Sequence, residues 1–172
     1  MSIGFNGARR RIGVVAVSVV ALLAASAPAG SALAASSATF GATFTERTTF
    51  VACPAGVPAG SHCFEGVGHG TTTPPVLPDP NSVENFAGFV TPTGQDANIV
   101  SISTNRGTLF LTTQGLVGNG GATESGTWTA RGGTGIFEDA RGTGPVNTVL
   151  TGVNADGSVN SQTVYGGQLT LE

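Results

Sequence analysis

Short segments of alternating apolar and polar residues recur along the chain downstream of residue 35. They are rich in Val, Ile, Phe and Thr, and clusters of Gly, Pro and Asn separate them. No segment in this region keeps apolar residues at helical spacing for three turns, so the pattern predicts an all-β domain. The expected strands cover residues 39–52, 63–72, 84–91, 97–104, 107–117, 124–131, 135–141, 146–153 and 159–171.

Turn residues indicate how these strands are connected. Asn119-Gly120-Gly121 and Asp156-Gly157 each lie between strand-like segments and fit two-residue hairpin turns, which predicts antiparallel neighbours. The segment 73–80 contains four prolines, which lack the amide donor that a ladder needs. We expect this segment to lie outside the sheet, either as a surface connector or as a flap over one barrel mouth.

Two acidic residues are the candidate catalytic groups. Glu46 lies in the apolar row of the first strand, between Phe44 and Phe50. Strict alternation points its carboxyl inward, whereas a β-bulge turns it outward, and the sequence favours the bulge. Glu46 and Glu65 are nevertheless the best candidates for acid–base chemistry, because an acid inside a cavity with a raised pKa can exchange a proton with a bound ligand.

The first residues have the features of an export signal. Three arginines precede an apolar stretch over residues 12–27, and Ala32-Leu33-Ala34 is a small-x-small cleavage site. A membrane anchor is the alternative, but the apolar run is shorter than the roughly 20 residues that a spanning helix needs. We therefore predict a signal peptide over residues 1–34 and one secreted domain over residues 35–172, with no membrane partner after cleavage.

The charge balance of the predicted mature domain excludes one class of partner. Four arginines stand against ten acidic residues, and the chain has no lysine. Nucleic-acid phosphates require a basic patch, so neither DNA nor RNA is an expected partner. The sequence also lacks a P-loop lysine and a G-x-S-x-G nucleophile elbow, and we predict no cofactor.

The two cysteines are close in sequence. Because exported thiols oxidise, Cys53 and Cys63 are predicted to form a disulfide across the Pro- and Gly-containing loop between two strands. The alternative is a metal site made of both cysteines with His62 and His69. We disfavour it, since His62 and Cys63 are adjacent and point to opposite faces of a strand.

The segment GGTGIFEDARGTG, residues 132–144, has five glycines around one aromatic residue and one cation. Such spacing is typical of a turn or corner in a β-barrel, with an aromatic side chain directed to the core and an arginine available to loop carbonyls. We interpret the segment as a structural turn and not as a reactive centre. The residues that define it are Gly132, Gly133, Gly135, Phe137, Arg141 and Gly142.

This segment resembles the GGTG-x-F-x-x-A-R-G motif of dirigent proteins and the related allene oxide cyclase-like barrels. Secreted bacterial proteins of unassigned role look similar too, and this chain is most similar to those. The resemblance implies an eight-stranded antiparallel barrel with a central cavity, commonly assembled as a homo-oligomer. Family members of known role bind hydrophobic small molecules and direct radical coupling or cyclisation, with acidic and aromatic residues lining the cavity. The matched positions are architectural in the family, so they assign no catalytic residue here.

Three functions follow from these observations. The first is a secreted, non-catalytic β-barrel that binds a small apolar ligand or a surface partner. The second is a dirigent-type or cyclase enzyme, with isomerase-like activity on a hydrophobic small molecule inside the barrel. The third is an extracellular structural or adhesive protein. The volume of the apolar interior discriminates between them, since a filled barrel leaves only the third.

Overall fold

Residues 36–73 and 79–171 are described by a computed structural model, and they form a closed antiparallel barrel. Its eight strands follow one another around the ring in chain order, and β1 closes the ring by pairing with β8. The predicted all-β class and eight-stranded barrel are thus confirmed. The strands are β1 (Ser36–Val51), β2 (His62–Thr72), β3 (Asp79–Val90), β4 (Gln95–Thr104), β5 (Gly107–Gly118), β6 (Thr123–Gly133), β7 (Arg141–Val153) and β8 (Val159–Leu171).

Alternation along β1 decides which side chains enter the barrel. Phe40 and Phe44 are buried, whereas Thr45 and Arg47 are exposed. The strand keeps an unbroken register with both β2 and β8, so its alternation is not interrupted. The bulge that the sequence favoured at Glu46 is therefore wrong, and the Glu46 side chain points inward on the same face as Phe44.

Apolar side chains fill the half of the barrel that contains the start of β1 and the end of β8. Phe40 packs edge-on against Trp128, with ring centroids 5.2 Å apart. Trp128 is fully buried, and its indole Nε1 donates a hydrogen bond of 2.8 Å to the Gly166 carbonyl, so its polar atom is satisfied. This half is a packed core and holds no lumen. Other buried members of this core are Phe44, Ile102, Leu109, Leu111 and Leu169.

The connection between β6 and β7 belongs to this core. We expected a strand over residues 135–141, which is wrong: Gly135–Phe137 form one turn of 3-10 helix, and β7 begins at Arg141. Gly135 has φ +62°, and a Cβ there would lie 2.2 Å from the Arg106 carbonyl, so only glycine fits this turn. The turn directs Phe137 into the barrel, where it is 1% exposed.

The amides of this connection are already engaged. Thr134 donates to the Thr108 carbonyl, Ile136 to the Arg106 carbonyl and Glu138 to the Gly135 carbonyl. A phosphate-binding loop needs several free N–H groups that converge on one anion. The geometry therefore supports a structural turn and disfavours an anion site at the glycine-rich segment.

Other boundaries also differ from the predicted ones. Asp79 and Pro80 lie inside β3, because Asp79 pairs with Thr72 of β2. On the other side of β3, the ladder to β4 begins only at Val83. Proline is tolerated at such a strand end, where one side has no ladder. Both hairpins have the predicted antiparallel partners, but their loops contain four and five residues, over 119–122 and 154–158, instead of two.

Some predictions fall outside the described residues. These are the signal peptide over residues 1–34 and most of the proline-rich segment, residues 74–78; the boundary between residues 34 and 35 also stays a prediction. Within the described ranges, the structure contains no helix of the length and hydrophobicity needed to span a bilayer.

The predicted disulfide is confirmed. Cys53 and Cys63 are bonded, with their Cα atoms 5.1 Å apart, and they close the loop between β1 and β2. Because both sulfur atoms are engaged, the alternative metal site of two cysteines and two histidines does not form.

Reduction of this disulfide is expected to lower the free energy of unfolding by about 2–3 kcal/mol, because it releases the entropy constraint on a short loop. The measurement is urea unfolding with and without dithiothreitol. A Cys53→Ser/Cys63→Ala double variant is the control and should not respond to the reductant. Equal stability of the oxidised and reduced protein contradicts this role of the disulfide.

Candidate functional site

The half of the barrel opposite the packed core encloses a cavity of about 450 Å³. It reaches the surface at the ends of the strands that flank the 52–61, 91–94, 119–122 and 154–158 loops. Apolar side chains surround this opening, and one of them, Phe50, is 55% exposed. The other apolar residues of this wall are Phe64, Phe86, Val90, Val117 and Leu150. The interior is therefore not filled, and a small molecule has a route to it.

Carboxyl groups from four different strands line the same cavity. They are Glu46 of β1, Glu84 of β3, Asp96 of β4 and Glu124 of β6, and Tyr165 of β8 lies among them. Of the described residues that line the cavity, none is an arginine or a lysine. The lumen thus combines an apolar entrance with an acidic interior.

Glu84 and Tyr165 are both buried in this interior. The Tyr165 hydroxyl donates a short hydrogen bond of 2.5 Å to Glu84 Oε1, while Glu84 Oε2 accepts no hydrogen bond. Glu84 is 0% exposed, and this burial, with a smaller contribution from the charge of Glu46, raises its pKa to about 9. Burial and the neighbouring Glu84 also raise the pKa of Tyr165 well above its usual value. At neutral pH, Glu84 is therefore a neutral carboxylic acid.

A glycine of β2 makes room for this arrangement. A Cβ at Gly68 would lie 2.9 Å from Glu84 Oε2 and 3.0 Å from Glu46 Cγ. Gly66, Gly68 and Gly70 occupy the inward positions of β2. The absence of side chains along this row leaves space in which Glu46 and Glu84 approach each other.

Asp96 and Glu124 form a pair of carboxyl groups in the same cavity. Asn98 Nδ2 donates hydrogen bonds of 2.7 Å to Asp96 Oδ2 and of 3.0 Å to Thr113 Oγ1, and the carboxyl groups of Asp96 and Glu124 are hydrogen-bonded to each other. The buried Asn98 Oδ1 accepts no hydrogen bond. Burial raises the pKa of Asp96, and burial together with the charge of Asp96 raises the pKa of Glu124 to about 9. This pair therefore retains a proton at neutral pH, as like charges in close contact do.

Glu46 interacts with both Glu84 and Glu124. Its Oε2 accepts a hydrogen bond of 2.7 Å from Ser161 Oγ, and its charge raises the pKa of both Glu84 and Glu124. Glu46 thus connects Glu84 electrostatically with the Asp96–Glu124 pair. Of the two acids that the sequence proposed, Glu46 is part of the lumen.

Glu65 does not share this lumen, and its placement there is corrected. It is exposed on the outer face of β2, because it alternates with Phe64 and Gly66, which face inward. Arg47, the residue after inward-facing Glu46 on β1, likewise faces outward. It forms an exposed ion pair of 2.5 Å with Asp156. A catalytic role of Glu46 remains a prediction.

Four residues of the site were not chosen from the sequence. Glu84 and Glu124 are the first residues of the predicted strands 84–91 and 124–131, and Asp96 lies one residue before the predicted strand 97–104. The available signal was alternation, since Glu84, Asp96 and Tyr165 each share a strand face with buried residues such as Ser82, Ile102 and Leu169.

Comparison with known proteins yields a structural likeness but no sequence match. No protein-family model matches the chain, and no curated protein sequence matches it. Among solved structures, the chain is similar to a pterocarpan synthase dirigent protein. The TM-score is 0.49 and the sequence identity 12%, over 78% of this chain and 92% of that one. We transfer no residue role or ligand from that protein to this chain.

Proposed function

We propose that this protein is a secreted, non-catalytic barrel that binds a small, largely apolar molecule in its lumen. The observation that carries the proposal is the open cavity of about 450 Å³, which lies within the 300–1,000 Å³ typical of ligand sites. Its entrance is apolar, and the carboxyl and hydroxyl groups farther inside can fix the orientation of a bound molecule. An adhesive or purely structural role needs no such cavity and is disfavoured.

Export is the second part of the proposal. The Cys53–Cys63 disulfide supports it, because disulfides persist in oxidising compartments outside the cytoplasm. The predicted leader over residues 1–34 points the same way. Homo-oligomerisation, which the family resemblance implied, stays a prediction.

The proposed site is tested by the binding of an uncharged fluorescent probe, N-phenyl-1-naphthylamine. We expect its emission to rise on addition of the protein. Thr148→Trp should weaken this binding at least tenfold, because Thr148 lines the cavity and an indole there fills it. The measurement is a fluorescence titration of both proteins at neutral pH.

The next residue on β7 supplies a matched control. Val149 is 51% exposed on the outer face, so Val149→Trp adds the same side chain outside the lumen. It should leave probe affinity within twofold of the original protein. Equal loss in both variants, or no binding by the original protein, contradicts a ligand site in the barrel.

One observation favours the second candidate, a dirigent-type or cyclase enzyme. A neutral Glu84 hydrogen-bonded to Tyr165 is able to give a proton to a bound molecule at neutral pH. The two functions differ in whether the bound molecule is chemically converted. Mass spectrometry of a bound compound after prolonged incubation would detect conversion, which the enzyme hypothesis requires and the binding hypothesis excludes.

A further inference from the structure

We propose that the lumen selects an organic cation, a small apolar molecule whose ammonium group enters among the four carboxyl groups that line the cavity, those of Glu46, Glu84, Asp96 and Glu124. The inference rests on the proposed function and names the class of its ligand. Three independent features of the cavity support it.

The first feature is the sign of charge inside the barrel. Four carboxyl groups face the cavity, and no arginine or lysine lies among the described residues of its wall. The described arginine on β1, Arg47, faces solvent instead and pairs with Asp156. An anionic ligand would meet carboxyl groups that its own charge cannot stabilise, so the lumen disfavours an anion and favours a cation.

The second feature is a set of buried oxygen atoms that lack donors. Among the described residues, the buried Asn98 Oδ1 accepts no hydrogen bond, and Glu84 Oε2 and Asp96 Oδ1 have no partner other than a neighbouring carboxyl group. Glu84 is 0% and Asp96 is 3% exposed, and both line the cavity. The Asn98 amide nitrogen donates to Asp96 and Thr113, which identifies the other amide atom as the oxygen. This oxygen does not titrate, so it is an acceptor at any pH.

These acceptors indicate what a ligand must supply. A buried polar atom without a partner costs free energy, so a ligand that satisfies it gains affinity. An ammonium group carries three N–H donors and no acceptor, whereas an alcohol has one donor and a carbonyl or ether oxygen has none. The apolar wall formed by residues such as Phe64 and Phe86 leaves the remainder of the ligand in an apolar environment.

The third feature is that Glu84 and Glu124 keep their protons at neutral pH. Burial, together with the charge of Glu46 at Glu84 and of Asp96 and Glu46 at Glu124, raises the pKa of both Glu84 and Glu124 to about 9. A bound cation stabilises the carboxylates and displaces these protons, so its affinity should rise with pH up to about 9. The titratable groups that face the cavity are Glu46, His62, Glu84, Asp96, Glu124 and Tyr165.

Three compounds with one apolar body test the inference: 1-adamantylamine, 1-adamantanol and adamantane-1-carboxylate. An alkylammonium with a pKa of about 10.4 stays charged from pH 6 to pH 9. By titration calorimetry at pH 8, we expect the amine to bind at least tenfold more tightly than the alcohol, and the carboxylate not to bind. Amine affinity should increase at least threefold per pH unit between pH 6 and pH 8, with proton release seen as a dependence of the heat on the buffer.

Isosteric variants separate charge from shape. Glu84→Gln and, separately, Asp96→Asn should each weaken amine binding about tenfold and weaken 1-adamantanol binding by a clearly smaller factor. Glu65→Gln is the control, because it removes a carboxylate from the outer face of the same barrel and should change neither ligand. Histidine changes charge near neutral pH, so the pH series is repeated in His62→Gln, where the rise should persist.

The outcomes are distinct from those of the proposed function. If N-phenyl-1-naphthylamine binds but the amine is no tighter than the alcohol, or its affinity does not rise with pH, the selection of cations is overturned and the binding barrel stands. If neither the probe nor any adamantane compound binds, the proposed function fails and this inference fails with it. Unchanged amine affinity in both Glu84→Gln and Asp96→Asn also overturns it.

Discussion

Replacing Phe137 with alanine is expected to lower the free energy of unfolding by about 3–5 kcal/mol, the cost typical of deleting a buried aromatic ring. Phe137 is 1% exposed and belongs to the same core as Trp128 and Leu169. It is held there by a turn whose amides bond to neighbouring carbonyls, so the backbone cannot readily collapse into the space left by the ring. A cavity would therefore remain at the closed half of the barrel.

The measurement is urea unfolding followed by the emission of Trp128, the single tryptophan of the chain. Phe110→Ala is the control, because Phe110 is 42% exposed on the outer face of β5 and its truncation should cost much less. A loss below about 1 kcal/mol in Phe137→Ala would contradict the assignment of the glycine-rich segment to the core.

The class of fold could be predicted from the sequence because its signals are local. Alternation along β1 and the turn residues around Asn119 and Asp156 each indicate strands and antiparallel pairs without knowledge of distant contacts. The failure at residues 135–141 has a physical cause. Taken alone, the sequence Ile136-Phe137 resembles a short strand. In the structure, Gly135 has a positive φ and the chain turns there. The turn directs Phe137 into the core of the barrel.

The site could be predicted only in part, because it depends on register between strands far apart in sequence. Strict alternation along β1 points the Glu46 side chain inward. The unbroken register of β1 with β2 and β8 preserves that alternation in the structure. The meeting of Glu46 with Glu84 requires β3 to lie across the glycine row of β2, with Gly68 opposite Glu84 in the ladder. Nothing in the local sequence around Glu84 specifies that neighbour.

Substitution of Glu84 by glutamine is expected to change the pH dependence of stability. The pKa of Glu84 is raised from 4.5 to about 9, so between these values the folded protein binds a proton that the unfolded chain has lost. Its contribution to stability is therefore fully present below about pH 4.5 and is lost as pH rises towards 9. We expect the original protein to lose stability over this range, and the Glu84→Gln variant to lose less.

The difference should be largest at alkaline pH. A glutamine carbonyl still accepts the Tyr165 hydrogen bond that Glu84 Oε1 accepts, but it never ionises. At pH 9, Glu84→Gln should therefore be more stable than the original protein by on the order of a few kcal/mol, whereas near pH 5 the two should be similar. Urea unfolding at pH 5, 7 and 9 measures this, with Glu65→Gln as an exposed control that should follow the original profile. Parallel profiles for the original protein and Glu84→Gln would mean that the Glu84 carboxyl is already ionised in the folded barrel, and that the acidic interior is hydrated and not held neutral by burial.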